Sequence, residues 1–176
     1  LPLHDLARTS VKGSLQLSGN DLRLRADLPA LGAARGRVDF GAKGFSVVDA
    51  TARVLGGETA IDGGTQPDGS LRFTLQGRAT VEGVRQAAEL GGLTRAAGGL
   101  SGQANYRLVL GIVKGGTEVD LTSDLVGLGS DFPPPLAKRA DAAQPLRLRI
   151  EHAPSGAAQD TLSLELGTML PISQHT

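Results

Sequence analysis

Apolar and polar residues alternate along most of this chain with a period of two residues. The longest example is residues 104–112, in which Ala104, Tyr106, Leu108, Leu110 and Ile112 share one side. This alternation is typical of β-strands that present one apolar and one polar face. It predicts further strands at 15–17, 22–28, 38–40, 71–75, 119–125, 146–150 and 162–166.

Short turn signals separate these predicted strands. They are Gly19-Asn20-Asp21, Gly41 to Gly44, Gly56-Gly57, Pro67-Asp68-Gly69, Lys114-Gly115-Gly116 and Pro154-Ser155-Gly156. Short connections between strands with one apolar face predict an antiparallel meander. Between Phe45 and Leu55 the apolar residues change from one register to the other, which predicts a β-bulge. The predicted fold class is therefore mainly β, as a twisted antiparallel meander sheet.

One interval departs from the period of two and predicts one or two short helices near residues 81–97. Thr80 is a suitable N-cap, and Val81, Val84 and Ala88 recur at helical spacing. The pair Gly91-Gly92 predicts the end of a helix over about 81–90, and residues 93–97 add a further turn. We expect the apolar face of this helix to cover one end of the sheet.

Composition limits the classes of function. Eighteen basic residues balance eighteen acidic ones, so no net charge favours nucleic acid or an anionic surface. The basic pairs Arg23/Arg25 and Arg147/Arg149 lack interleaved aromatic residues, and we interpret them as charges on the polar face. No apolar run reaches the length of a membrane span, so we expect none in this section.

Candidate catalytic and metal-binding motifs are incomplete. His4, His152 and His175 lack the spacing of metal ligands. Asp120 and Asp124 share a face of one predicted strand, but four residues of strand separate them by about 14 Å, beyond the roughly 5–10 Å of a glycosidase pair. The glycine-containing segments 99–103 and 127–130 depart from the nucleophile-elbow and dinucleotide-loop spacings. We therefore predict neither an enzyme nor a bound metal or cofactor.

The order of these patterns resembles the AsmA-like envelope proteins and, within them, the YhdP family. Four segments carry the resemblance: RGRVDFGAKGF at 35–45, the strand and Gly-Gly turn at 49–63, the strand, short helix and strand at 75–110, and the strand and proline-rich loop at 122–150. The resemblance covers about two thirds of the chain, from Arg35 onward, and lies in the order of the segments.

The resemblance implies a role in lipid transport. It implies a periplasmic section, residues 1–176, of a longer protein anchored in the inner membrane of a Gram-negative bacterium. In such proteins the sheet curls into an open apolar groove that conducts phospholipid acyl chains between the inner and outer membranes. The partners would be these acyl chains and neighbouring sections of the same parent chain. The predicted groove-lining residues are Leu108, Leu110, Val119, Leu121, Leu125, Leu146, Leu148, Ile150, Leu162, Leu164 and Leu166.

Two questions stay open at this point. The proline-rich loop over about 130–145 either places Phe132 and Leu136 as a cap on the groove or is only a stiff connection. Alternation is also compatible with a closed β-sandwich whose two sheets cover each other. Such a sandwich would be a structural or adhesin-type spacer without lipid binding.

Overall fold

A computed structural model of the chain describes residues 12–23, 28–113, 116–152, 161–167 and 171–175. Its strands are β1 (Gly13–Leu22), β2 (Leu31–Gly41), β3 (Gly44–Val54), β4 (Gly57–Thr65), β5 (Leu71–Thr80), β6 (Leu100–Val113), β7 (Gly116–Ser123), β8 (Leu128–Ser130), β9 (Leu146–His152), β10 (Thr161–Leu166) and β11 (Pro171–His175). The helices are α1 (Val81–Gln86) and α2 (Gly92–Ala96), with 3-10 turns at Ala88–Leu90 and Ala97–Gly99.

The strands form one antiparallel sheet that follows chain order. Each strand from β1 to β7 pairs with the next, β7 pairs with β9, and the sheet continues through β10 to β11. The short β8 pairs with the start of β6, beside the point where β7 ends. The predicted mainly β meander is confirmed. Within the described residues, the strands form one continuous sheet whose first and last strands, β1 and β11, do not pair with each other, so the sheet is not closed into a barrel.

The predicted bulge lies in β3. The pairing of β3 with β4 shifts between Val47 and Ala50, and Asp49 has a φ of 49°. A non-glycine residue in the left-handed region interrupts alternation, and the apolar side chains change register there. The bulge inferred from the change of register in the sequence is confirmed.

The turn predictions have mixed outcomes. Turns connect β2 to β3, β3 to β4 and β4 to β5 at the predicted glycine-containing positions. The predicted turn at Gly19-Asn20-Asp21 is wrong, because these residues continue β1 through irregular pairing with β2. The Asp21 carboxylate accepts a hydrogen bond from the Ala33 backbone N–H at 2.8 Å, which holds this irregular part of the pair together. Residues 24–27 of the predicted strand 22–28 lie outside the described residues, as do 114–115 and 153–160 with their predicted turns.

The helical insertion lies at the end of the sheet where β5 ends and β6 begins. Thr80 is the predicted N-cap, and its hydroxyl accepts a hydrogen bond from the Gly83 N–H at 2.9 Å. The first helix ends at Gln86, earlier than predicted, and the chain continues as separate short turns. Gly83 packs directly against the Leu55 backbone in the β3–β4 turn, where an added Cβ would overlap the main chain. Val81 is buried at this end of the sheet, whereas Ala88, a member of the predicted helical face, lies in a 3-10 turn and is exposed.

Candidate functional site

The apolar side chains of neighbouring strands align in two rows that cross the sheet. In an antiparallel sheet, directly paired residues place their side chains on the same face. The first row is Leu15, Val38, Val47, Phe73, Leu110, Val119, Ile150 and Leu162. The second row is Leu17, Ile61, Leu75, Leu108, Leu121, Leu148 and Leu164. We call these two rows together the apolar stripe.

The stripe crosses nine paired strands, from β1 to β10 without β8. Because neighbouring strands lie about 4.8 Å apart, it is about 40 Å long. Small residues fill the positions where no large aliphatic side chain stands: Gly63 in the first row, and Gly36 and Ala50 in the second. The stripe is therefore continuous from β1 to β10.

Most of the predicted lining residues lie together on this face. Leu108, Leu110, Val119, Leu121, Leu148, Ile150, Leu162 and Leu164 belong to the stripe itself. Leu146 and Leu166 pair with each other one position further toward the helical end, on the same face. Sequence reasoning did not assign the half of the stripe on β1 to β5. The alternation that marks those strands was the available signal for Leu15, Leu17, Val38, Phe73 and Leu75.

Leu125 does not belong to a strand. The strand β7 ends at Ser123, whose hydroxyl donates to the Asn105 carbonyl at 2.6 Å and accepts from the Leu125 N–H at 3.0 Å. Leu125 has a φ of 54°, so the alternation of β7 does not extend to its side chain. The sequence-based strand assignment of Leu125 is therefore wrong, because the chain turns away toward β8.

The large side chains of the stripe are incompletely covered. All fully buried hydrophobic residues in the described part of the chain are alanine or valine. Every stripe residue retains some exposure, and Leu15 and Leu162 reach 56% and 41%. A closed core normally buries Leu, Ile and Phe most completely. The stripe is thus an apolar surface that the described chain leaves partly open.

A small core supports the stripe on the first strands of the sheet. Ala34, Ala52 and Val54 are buried there, and their partly buried neighbours are Leu17, Leu22, Leu31, Leu55 and Ile61. Alanine at these positions lets the larger neighbours approach the sheet closely. The first strands of the sheet therefore contain a small packed core. The strands from β7 to β10 instead carry half-buried or exposed leucine, isoleucine and valine.

Two aromatic residues each pair with a glycine on a neighbouring strand. Phe73 lies over Gly63, where an added Cβ would be 2.7 Å from the ring, and its ring centroid is 6.0 Å from that of Phe45. Tyr106 pairs with Gly77, which in turn pairs with Thr59, and the Tyr106 hydroxyl reaches the Thr59 hydroxyl at 2.8 Å. Aromatic side chains commonly cover strand glycines in this way.

The Thr59–Tyr106 pair is a polar point beside the stripe. Thr59 is fully buried, and a buried hydroxyl requires a partner, which Tyr106 supplies. Burial raises the pKa of Tyr106, while the hydrogen bond to Thr59 opposes this shift. The pair therefore stays neutral and marks the boundary of the apolar stripe toward the helical end.

The opposite face of the sheet is polar and carries ion pairs. Asp120 on β7 accepts hydrogen bonds from Arg147 at 2.6 Å and from Arg149 at 3.1 Å, both on β9. The hydrogen bond from Arg147 is the main reason why the pKa of Asp120 lies below its usual range. The interpretation of this arginine pair as charges on the polar face agrees with these contacts.

The proline-rich loop lies between β8 and β9. Phe132 packs against Gly99, the residue before β6, where an added Cβ would lie 2.7 Å from its ring. Leu136 is exposed at 51%. The hypothesis that Phe132 and Leu136 cap a groove stays a prediction.

Within the described residues, no group of three or more histidine and carboxylate side chains is positioned to hold a metal ion. In that same part of the chain, no helix has the length and hydropathy needed to cross a membrane.

A family model described as "YhdP protein" matches residues 1–174 of the chain. No curated protein and no solved structure gives a significant match.

Proposed function

Because the chain belongs to the YhdP family, we propose that it conducts phospholipid acyl chains along its apolar stripe. In this proposal it is a periplasmic section of a longer AsmA-like protein, anchored in the inner membrane of a Gram-negative bacterium. Lipid would move between the inner and outer membranes with its acyl chains against the stripe and its headgroup toward solvent.

The continuity of the stripe is the observation that supports the proposal most directly. The rows run across the strands, so a ligand that follows them passes from strand to strand along the sheet. The hydrocarbon layer of one membrane leaflet is about 15 Å thick, and the stripe is about 40 Å long. An acyl chain would therefore contact apolar side chains along its whole length. The stripe would also extend beyond the end of the acyl chain, so that the acyl chain could move along it.

The composition of the stripe also suits a path along which lipid slides. Its members are leucine, isoleucine and valine with one phenylalanine, and polar side chains are absent from the two rows between β1 and β10. Transfer of each methylene from water to such a surface contributes about 0.8 kcal/mol. Because this contribution is nearly the same at every position along the rows, no single position traps the chain.

Neighbouring sections of the parent chain are the second proposed partner. The stripe extends to β1, whose outer edge has no strand paired to it in the described part of the chain. Leu15 on that strand is the most exposed member of the stripe. A strand added at this edge would continue both the hydrogen bonding and the apolar rows.

The test is site-specific photocrosslinking in the parent protein in cells. A photoreactive residue at position 121, on the stripe, is expected to label phospholipid, whereas the same residue at position 122, on the polar face, is not. Positions 148 and 149 on β9 form a second matched pair, since Leu148 pairs with Leu121 and Arg149 lies on the opposite face.

Equal labelling from the two positions of each pair would contradict transport along the stripe. Absence of labelling from every position in a folded protein would instead support the alternative, a structural spacer without lipid binding.

A further inference from the structure

The polar face contains a depression of about 790 Å³ at the helical end of β2 to β6. Three arginines, Arg35 on β2, Arg53 on β3 and Arg78 on β5, line it and are exposed. Three side-chain amides also line it, from Gln76, Gln103 and Asn105. The depression lies on the face opposite to the stripe, so a ligand held there is independent of the proposed lipid path.

The strand register brings the three arginines together. Arg53 pairs with Glu58 on β4, and the pairing of Thr59 with Gly77 places Glu58 opposite Arg78. Arg53 and Arg78 are thus two strands apart, about 10 Å between backbones. Arg35 pairs with Thr51, which makes it a diagonal neighbour of Arg53 at about 7–8 Å. Guanidinium groups on such long side chains converge easily over these distances.

Among the described residues, these three arginines have no carboxylate partner, unlike Arg37, Arg147 and Arg149 on the same face. Arg147 and Arg149 are paired with Asp120, and Arg37 with Asp39 at 2.9 Å. Within the described chain, no carboxylate oxygen lies within 4 Å of Arg35, Arg53 or Arg78.

Glu58 is the one carboxylate that lines the depression. It stands between Arg53 and Arg78 in the cross-strand row without forming an ion pair with either. Three guanidinium groups and one carboxylate leave the depression with two excess positive charges. A planar guanidinium donates paired hydrogen bonds that match the oxygens of a phosphoryl group, and amide N–H groups add neutral donors.

We propose that this depression binds a phosphoryl group, supplied either by free phosphate or by a phospholipid headgroup. The ligand would accept hydrogen bonds from Arg35, Arg53 and Arg78, with the amide groups at the margin. Because the arginines are exposed, the binding is salt-dependent and weakens as ionic strength rises.

The experiment titrates the folded chain with inorganic phosphate and, separately, with dihexanoyl phosphatidic acid below its micelle concentration. Binding is followed through the Nε–H resonances of the arginines and by calorimetry. The Arg35, Arg53 and Arg78 resonances are expected to shift with at least one probe. A response to both probes identifies the phosphoryl group itself as the ligand, and a response to the lipid alone identifies the headgroup.

Three variants make the test specific. Arg78→Gln is expected to weaken binding about tenfold, because a hydrogen bond to a charged group is lost. Arg72→Gln is the matched control, since Arg72 lies on the same strand and face but about 20 Å away, and it is expected to bind as the unmodified chain does. Glu58→Gln removes the one carboxylate and is expected to strengthen binding severalfold.

The gain expected of Glu58→Gln cannot be produced by misfolding. The proposal is overturned by an absence of response to both probes, by equal weakening in Arg72→Gln and Arg78→Gln, or by unchanged binding in Glu58→Gln.

Discussion

Introducing a carboxylate on the stripe is the sharpest perturbation of the proposed lipid path. Leu121 stands in the second row, paired with Leu108 and Leu148, and it is half-buried in the lipid-free sheet. Full burial of a leucine side chain contributes about 2–3 kcal/mol, so Leu121→Asp is expected to cost about 1 kcal/mol of folding stability. The variant is therefore expected to stay folded.

The effect on lipid retention is expected to be much larger. An acyl chain lying on the stripe would cover the new carboxylate and leave it without a partner, which costs several kcal/mol. Since each 1.4 kcal/mol is a factor of ten, retention is expected to fall at least about 100-fold.

Thr122→Asp is the matched control one residue away. Thr122 pairs with Arg107 and Arg147 on the polar face, so a carboxylate there faces two opposite charges. Such cross-strand pairs contribute less than about 1 kcal/mol, and the change is expected to leave stability and lipid content nearly unchanged.

The assay is mass spectrometry of lipid extracted from equal amounts of each purified protein, with circular dichroism as the control for folding. Equal lipid content in folded Leu121→Asp and Thr122→Asp would refute the reasoning. Unfolding of Leu121→Asp alone would show that Leu121 belongs to a closed core, as in a spacer domain.

Two further predictions concern the fold. Gly77→Ala is expected to lower the free energy of unfolding by about 1–3 kcal/mol in urea denaturation, because its Cβ would overlap the buried Thr59 side chain. Gly98→Ala, with open space around it, is expected to change the free energy of unfolding by less than about 0.5 kcal/mol. Similar losses of stability in the two variants would contradict this packing. Asp120→Asn is expected to lower stability at pH 7 by up to about 1 kcal/mol, since the Arg147 hydrogen bond depresses the carboxyl pKa. Because the folded-state pKa of Asp120 is depressed, its ionised carboxylate stabilises the folded state above the unfolded pKa of about 3.9, and this stabilisation is lost as pH falls through the folded pKa. The unfolding free energies of the unmodified protein and of Asp120→Asn are therefore expected to converge in acid. A difference that stays constant with pH would disprove the linkage.

The sequence by itself determined which faces of the strands are apolar and where several elements begin or change. Alternation with a period of two identified one face of β6, β7, β9 and β10. The change of register between Phe45 and Leu55 predicted a bulge in that interval, which the structure places at Asp49, and Thr80 identified the start of α1. These features are local, because they depend on side-chain direction and capping within a few residues.

Local pattern failed where the signal was weak or where the chain turned. The strand β4 contains one large apolar residue, Ile61, and three glycines, so its alternation was not recognised. It is held in place by β3 and β5 on either side. Leu125 continued the apolar pattern of β7, but hydrogen bonds at Ser123 end the strand before it.

The tertiary structure alone decided which residues became neighbours across strands. Alternation gives the face of a side chain, whereas register decides its partners, and a register shift would leave the sequence pattern of each strand unchanged. Only the pairing shows that Leu108, Leu121, Leu148 and Leu164 stand in one row. The same applies to the depression on the polar face, whose arginines come from three strands, because hydrogen bonding between distant segments sets their separation and local pattern does not.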